Sequence, residues 1–555
     1  MITDTDILIG PESTILDGLK QLTETKKKHL IVVDGDNVFQ GIVTDGDIRR
    51  SLVAVGDLQL PIRDVMNREP VVVNEQAREH DIRRVLTARM SIVPVVDKNS
   101  RYRGYYSFHR ERFMDPARNR SVTIIGMGYV GLTLGVVLAD SGFRVHGYDV
   151  NDRLVDQLRE TKCPFYEKGL QKYLSQHANK NLKFTSELGK ALSDVYIITV
   201  GTPLVKDTSE PNISYLESAL TDIGKSLQVG NLIILRSTVP IHTSRQIAIP
   251  LLERESGLKC GRDFMLSFAP ERTAEGQALK ELLYNPQIIG AYDPSSYAVT
   301  AGLFNTFTST IIDVGSLEAA ELCKLIDNTF RDHLFAYTNN LVPLADKLGL
   351  DLTDIIDAIN LGYHRNAVPK PSPGVGGPCL TKDPHILGKA FTEFGLGSEL
   401  LLNVRRVNEV GPEFLFNKLN ALLESAGKQL DTCKKIVLVG LAFKGCPETS
   451  DMRESTSLWF LDKFPKRDNI HAYDPVVENE DIASLGITPI GQDEIFSNAD
   501  AVVILNNHKQ YETWDLSEKL GQMNTPAVVL DGWNIFPSHY FKRHPGIFYG
   551  GMGHG

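Results

Sequence analysis

The sequence predicts an α/β protein: two doubly wound sheets joined by a central helical region and preceded by a smaller α+β unit. Three observations carry this: strand-then-helix alternation from residue 121, a second set of short apolar strands from residue 435, and an internal repeat before residue 112. At roughly 100–200 residues per domain, 555 residues imply three or four domains. Hydrophobic residues make up 42% and charged residues 23%, the balance of a folded chain. The net charge, 59 − 69 = −10, argues against broad binding to nucleic acid or anionic lipid and leaves room for a local basic pocket that holds phosphate.

The first ten residues lack the basic patch and apolar stretch of a signal peptide, and no run approaches the roughly 20 apolar residues of a membrane span. A cytoplasmic protein with no membrane partner is expected. Cysteines at 163, 260, 323, 379, 433 and 446 form no CxxC pair, so neither a disulfide scaffold nor a metal site is expected. All six should be free thiols, and five of them small buried apolar residues.

The repeat appears when 29–34 (HLIVVD) is set against 92–97 (IVPVVD), with Gly41 and Gly104 each seven residues after the aspartate. The offset is 97 − 34 = 104 − 41 = 63. Each copy reads as an amphipathic helix, an apolar strand, a turn and a second strand. In the first copy Gly41 is followed by Thr44 and Asp47; in the second Gly104 is followed by Ser107 and Arg110, a cation where a carboxylate should stand. This resembles a CBS-domain pair over 1–115. The resemblance implies an adenine nucleotide whose sugar hydroxyls meet Thr44 and Asp47, regulating the attached protein. The residues alone also allow a plainer role, capping the helix that follows. Lys26, Lys27 and Lys28 read as a solvated helix end, and 115–120 as a linker.

Strands are expected at 122–126, 145–149, 195–200, 232–237 and 264–268, a single long helix over 317–350, and further strands at 435–440, 470–473, 501–505 and 527–530. These give regions of 121–315, 316–425 and 426–555, with a glycine-rich tail at 550–555 that should fray.

Two motifs carry chemistry. Gly126-Met127-Gly128-Tyr129-Val130-Gly131 follows a strand and opens a helix, and the next strand ends at Asp149, 18 residues on. The glycines give a tight turn and close approach of a pyrophosphate to backbone amides, and Asp149 can accept from ribose hydroxyls while repelling a 2′-phosphate. NAD is the expected cofactor. The second motif runs from Pro373 through Gly376, Gly377, Cys379 and Lys382 to Asp383 and Pro384. A thiol near a helix start and a lysine is expected to have a lowered pKa and to serve as a nucleophile. The plainer alternative is that Asp383 is an N-cap and Cys379 a filler.

With Gly201-Thr202-Pro203, Ser237-Thr238-Val239-Pro240, Pro270-Glu271 through Glu275-Gly276, Glu321 to Asn328, Gly440 to Lys444, and Asp451-Met452-Arg453, these motifs resemble the nucleotide-sugar 6-dehydrogenases from 121 to about 540. The resemblance implies an N-terminal NAD-binding Rossmann domain, a central dimerisation region and a C-terminal Rossmann-like domain that binds a UDP-sugar. It implies a four-electron oxidation of sugar C6 to a uronic acid, a product that commonly enters surface polysaccharide. Cofactor contacts would come from Gly126, Gly128, Tyr129, Val130, Gly131, Asp149, Thr202 and Thr238. Cys379 would form a thiohemiacetal and then a thioester, Lys324 stabilise an alkoxide, Asn328 donate to the reacting oxygen, Asp383 support removal of the hydroxyl proton through an ordered water, and Glu271 with Thr238 position or activate the hydrolytic water. Substrate contacts would add Glu275, Gly376, Phe443, Lys444 and Arg453, and Arg365 would reach in from a partner subunit, implying a homodimer or larger assembly.

Lys324 and Asn328 are four apart on a predicted helix and share a face, as a site or a solvated surface would require. Arg453 suits phosphate but has Asp451 and Glu454 as neighbours. The chain departs from the family pattern at Trp533, where an arginine is usual, and at Asn340, where a glutamate is usual. Segments 328–332 and 374–377 look closer to the N-acetylhexosamine enzymes, favouring UDP-N-acetylmannosamine or UDP-N-acetylglucosamine, with UDP-glucose the first alternative. A nucleotide-sensing protein with an inactive dehydrogenase half is the contrasting class; retention of Lys324, Cys379 and Asp383 counts against it.

Overall fold

The computed structural model describes residues 5–25, 28–75, 92–107, 120–205, 208–365 and 367–554. The chain divides into two compact units, one of 1–119 with 308–310 and one of 120–307 with 311–555.

The first unit shows its duplication in the hydrogen bonds. Strands β1 (Leu8–Ile9), β2 (His29–Val33) and β3 (Phe39–Thr44) form one sheet, and β4 (Val73–Asn74), β5 (Ile92–Val96) and β6 (Tyr102–Ser107) form another with the same parallel-then-antiparallel order. His29 pairs with Thr44 and Ile92 with Ser107, and both hairpins slip register after Val32 and Val95, each 63 residues from its counterpart (92 − 29 = 107 − 44 = 95 − 32). The copies also bond to each other about a local twofold: Phe39 N–H donates to Ser100 O and Tyr102 N–H to Asn37 O, both at 2.9 Å. The helix expected in the second copy, Arg110, Lys26, Lys27 and most of the linker lie outside the described residues.

In the second unit, eight strands lie in the order β14-β13-β12-β11-β10-β7-β8-β9. They are β7 (Ser121–Ile125), β8 (Arg144–Tyr148), β9 (Leu182–Thr185), β10 (Val195–Ile198), β11 (Leu232–Leu235), β12 (Met265–Phe268), β13 (Gln287–Ala291) and β14 (Ile311–Asp313). All neighbours are parallel except β12 and β13. The central strands read as unbroken apolar runs, such as the fully buried LIIL of β11, because helices cover both faces. Sequence periodicity predicts five of these strands; it does not predict β9, β13 and β14, which are short or carry a polar residue within or at an end, Lys183, Gln287 and Asp313. Helix α1 (Tyr129–Asp140) is buried all round from Gly131 to Ala139 against this sheet.

The long helix of the expectation is two helices. Helix α2 (Leu317–Asn339) stops, and a second helix, Val342–Leu348, restarts with Pro343 in its first turn. Proline has no N–H to continue the ladder, which places the break there. Helix α3 (Asp383–Glu393) and the 27-residue α4 (Glu399–Ser425) pack against α2.

A six-stranded parallel sheet, β17-β16-β15-β18-β19-β20, completes the unit. Its strands are β15 (Ile436–Val439), β16 (Ile470–Tyr473), β17 (Thr488–Pro489), β18 (Ala501–Ile504), β19 (Ala527–Asp531) and β20 (Ile547–Gly551). Residues 550–554 of the C-terminal tail are not frayed. Gly550 and Gly551 pair with Leu530 and Asp531, His554 Nδ1 lies 2.7 Å from Asp351 Oδ2, and Lys418 Nζ donates to His554 O at 2.7 Å. Glycine serves close packing here: a Cβ on Gly550 would lie 2.8 Å from Leu422 Cδ1. Removing residues 547–555 should lower the unfolding temperature by roughly 5 °C or more, read by calorimetry, since it uncovers the edge of β19 and strips partners from Lys418 and Asp351.

Candidate active site

The carboxyl edge of the first sheet carries a cradle for a dinucleotide. Gly126 has φ +93°, a left-handed conformation that glycine adopts freely, and Gly131 has no room for a Cβ, which would meet the Gly126 carbonyl. Gly128 caps α1 with no side-chain hydrogen bond, so the N–H groups of the first turn, including Tyr129 and Val130, are left for an anion. Asp149 Oδ2 accepts from Met127 N–H at 2.7 Å, fixing the carboxylate beside the turn, with lone pairs remaining for ribose hydroxyls. These groups fit NAD. Across the sheet edge Thr202 Oγ1 donates to Thr238 O at 2.5 Å and Ser237 Oγ to Val200 O at 2.6 Å, joining the two loops after β10 and β11.

The Tyr129 side chain does other work. Its hydroxyl donates to Glu167, and Gly276 N–H donates to that hydroxyl at 2.9 Å and to Glu167 Oε2 at 2.6 Å. The cofactor turn is thereby tied to the loop that holds Glu271 and Glu275.

Helix α2 presents Glu321, Lys324, Asn328 and Asp332 along one buried stripe. The solvated-surface alternative for Lys324 and Asn328 is not what forms. Asn328 Nδ2 donates to Asp383 Oδ2 at 2.5 Å, and Lys382 Nζ donates to Asp383 Oδ1 at 2.6 Å. Asp383 is the first residue of α3 and its carboxylate turns to these partners, so the N-cap alternative is not realised. Lys324 makes no hydrogen bond among the described residues; it acts electrostatically on both Glu271 and Cys379.

Glu271 is buried against Arg236, whose Nε donates at 2.9 Å and whose Nη2 bonds the same oxygen; Arg272 and Thr273 N–H donate to the other oxygen at 2.8 and 2.7 Å. Burial pushes this carboxyl up, but Arg236, Thr273 and Lys324 together outweigh it and hold it below its ordinary value. A carboxylate so saturated is suited to fixing Lys324 and orienting a neighbour more than to taking a proton. Arg236 itself escaped sequence reasoning, although a lone cation closing an apolar strand just before Ser237-Thr238 was the available signal.

Cys379 is the one clear electrostatic correction. Its side chain is open to solvent yet walled by protein, and burial raises its thiol; Lys324 and Lys382 lower it, Asp383 and Glu275 raise it, and the net shift is upward. Burial, aided by two carboxylates, outweighs the lysines, against the lowered thiol that the sequence predicts. Of the other cysteines only Cys260 and Cys433 are buried; Cys163, Cys323 and Cys446 are half-buried, and all are free.

The second sheet closes the site. The Cys379 loop packs on it so tightly that Gly376 has no room for a Cβ beside Glu454 O, and a Cβ on Gly377 would lie 2.6 Å from the Phe443 ring. Lys444 Nζ donates to Glu275 O at 2.9 Å and lies over the Phe443 ring at 5.4 Å. Thr449 Oγ1 donates to Glu275 Oε2 at 3.0 Å. Glu271 and Glu275 thus face different partners from one loop. Arg453 is paired with Asp451 at 2.6–3.0 Å, so its structural alternative is realised. Arg365 is exposed and has no ion pair or hydrogen bond among the described residues. At the departures, Trp533 Nε1 donates to Leu505 O at 2.8 Å, while Asn340 is exposed, so no internal contact hangs on it.

In the first unit Thr44 and Asp47 form a reciprocal capping box: Asp47 N–H donates to Thr44 Oγ1 at 3.1 Å and Thr44 N–H to Asp47 Oδ2 at 2.9 Å. Arg50 takes the other oxygen at 2.5 Å. The capping alternative is realised.

A dinucleotide cradle in the same compact unit as a thiol, an ammonium and a carboxylate fits a nucleotide-dependent oxidoreductase. Residues 120–308, 318–410 and 437–538 match the NAD binding, central and UDP binding domains of the UDP-glucose/GDP-mannose dehydrogenase family, and 1–54 and 62–109 match the CBS domain. The chain is 32% identical over 447 residues to a UDP-N-acetyl-D-mannosamine dehydrogenase of Pyrococcus horikoshii, covering 78% of this chain and 99% of that protein. A Campylobacter jejuni protein of the same name is 31% identical over 70% of this chain and 96% of its own length. A solved UDP-glucose dehydrogenase from Pyrobaculum islandicum superposes with TM-score 0.66 at 26% identity, over 78% of this chain and 98% of that one. The chain belongs to the UDP-glucose/GDP-mannose dehydrogenase family, with NAD as its cofactor.

Glu275 is raised to about 7, chiefly by burial and then by Asp451, against Thr449, Lys444 and Arg453. A carboxyl raised from 4.5 to about 7 holds a proton in the native state that the unfolded chain has lost, so stability falls as pH rises through that window. Glu275→Gln should flatten this fall and unfold about 2–5 °C above the parent at pH 8 without ligand, read by thermal denaturation from pH 5 to 8.

Proposed function

We propose that the protein oxidises C6 of a UDP-N-acetylhexosamine, UDP-N-acetylmannosamine or UDP-N-acetylglucosamine, to the uronic acid. The gathering of Cys379, Lys324, Asn328 and Asp383 carries this reading, and the likeness over nearly the full length of a UDP-N-acetyl-D-mannosamine dehydrogenase supports the substrate. In this reading 121–315 holds the cofactor, 316–425 the catalytic loop and subunit contact, 426–555 the nucleotide sugar, and 1–115 is regulatory.

Bound NAD supplies the hydride acceptor for both oxidations. As C6 first loses hydride, Asp383 takes the hydroxyl proton, directly or through a water, while Lys324 stabilises the alkoxide and Asn328 holds the carboxylate in place. Cys379 then adds to the aldehyde: the C–S bond forms and the thiol proton passes to the carbonyl oxygen, giving a neutral thiohemiacetal. Loss of a second hydride and the hydroxyl proton gives a thioester. Water oriented by Thr238 and Glu271 cleaves the C–S bond, releasing acid and restoring the thiol.

The assembly is a homodimer or larger. Ile326, Phe330 and Tyr337 on α2 are 51%, 60% and 58% exposed, an apolar stripe suited to a second copy, and Arg365 is unpaired for delivery into the neighbour's site. Among the described residues no helix is long and apolar enough to cross a membrane, in keeping with a cytoplasmic address. At the CBS pair an adenine nucleotide would bond the Thr44–Asp47 corner, and Gly41 has no room for a Cβ there beside 66–67.

Across a panel of UDP-sugars the protein should yield two NADH per acid, and Cys379→Ser should stop at one NADH and a free aldehyde with no acid; full acid from that variant contradicts the reading. Calorimetry of the full chain with AMP and ATP should show saturable binding that Asp47→Ala weakens about tenfold; no heat with either nucleotide contradicts a sensing role.

A further inference from the structure

The Cys379 loop hangs on one buried guanidinium. Arg405, on α4, is 1% exposed, and its terminal nitrogens reach backbone carbonyls on both sides of the cysteine. Nη2 donates to Val375 O at 2.6 Å and Nη1 to Leu380 O at 3.2 Å. The same Nη1 donates to Asp332 Oδ1 at 2.6 Å, on α2 one turn beyond Asn328. Asn408 Nδ2 donates to that carboxylate at 2.8 Å, and Asn408 Oδ1 accepts from Asn339 Nδ2 at 2.9 Å. Asn339 Oδ1 in turn accepts from Ser372 N–H at 2.9 Å. The loop is therefore held at its entry, before the cysteine and after it by side chains reaching in from the two long helices.

The helix backbone presses on the same loop: Gly374 has no room for a Cβ beside Asn408 O, and a Cβ on Gly411 would lie 2.6 Å from the Pro373 carbonyl. A lysine cannot reproduce the anchor, because one ammonium nitrogen cannot span two carbonyls and a carboxylate as a planar fork does. The groups assigned to the first oxidation are held otherwise, Lys324 and Asn328 by α2 and Asp383 by Asn328 and Lys382.

We propose that Arg405, seated by Asp332 and Asn408, is the positioning residue that sets Cys379 against the carbonyl carbon. The proposal rests on the dehydrogenase reading above. Loosening the loop impairs capture by sulfur more than the first oxidation, so aldehyde escapes.

Full-length Arg405→Lys, assayed with NAD and UDP-N-acetylmannosamine, should lose about 10- to 100-fold in kcat for acid and keep its KM for NAD within about twofold. Each escaping aldehyde leaves one NADH without acid, so NADH per acid should rise above two and hydrazine should trap the aldehyde. Iodoacetamide labelling, followed by peptide mass spectrometry, should change several-fold at Cys379 and not at Cys163 or Cys446. Wild-type kcat and stoichiometry in this variant overturn the proposal, as does a change shared by all three cysteines. If the parent oxidises no nucleotide sugar, the functional reading falls by itself, and selective labelling at Cys379 still decides the positioning role. If Arg405→Lys does not fold, Asp332→Asn takes its place: the same signature supports the proposal, and parental behaviour overturns it.

Discussion

The structure depends on the close backbone packing around residues 373–380. On one side α4 leaves no room for a side chain at Gly374; on the other the loop after β15 leaves none at Gly376, whose neighbour Gly377 donates its N–H to Glu454 O at 2.8 Å. A loop gripped from both sides has one conformation, and that conformation fixes the sulfur. Glycine here is a requirement of distance: φ is +88° at both Gly374 and Gly377, and the space beside them belongs to other atoms.

The same economy links the two sheets. Tyr129, in the first turn of the cofactor helix, bonds Glu167 and Gly276, while the neighbouring Tyr166 bonds Glu448 and its N–H donates to Ser450 Oγ at 3.1 Å in the second sheet's loop. Gly276 has no room for a Cβ beside Glu448 O. The elements that hold the cofactor turn, the Glu271 loop and the second sheet therefore meet at shared residues. Charge follows this geometry: Arg236 holds Glu271 below its ordinary value against burial, whereas Glu275, raised chiefly by burial and then by Asp451, holds its proton to about neutral pH.

What the sequence made legible was local chemistry. The glycine turn and Asp149, the helical phase of Lys324 and Asn328, and the 63-residue repeat are all written in spacing along the chain. What it hid depends on neighbours far away in sequence. Cys379 reads as an activated thiol beside lysines, but burial and carboxylates as distant as Glu275 reverse the sign. Arg405 and Arg406 are adjacent and alike in sequence; only the fold shows that the first is buried against α2 and the loop. Asp47 reads equally as ligand or cap, and its bonds in the structure are those of a cap. The tail was misread because glycines usually signal fraying, whereas Gly550 and Gly551 are small in order to pack.

Everything in this account passes through the bond between Cys379 sulfur and the sugar's C6. Full-length protein in excess over UDP-N-acetylmannosamine and NAD, acid-quenched during turnover and digested, can be searched for that bond by peptide mass spectrometry. The account predicts an acyl adduct on the peptide containing Cys379 that appears and decays with acid formation; acid accumulating while that peptide stays unmodified at every time point would contradict it.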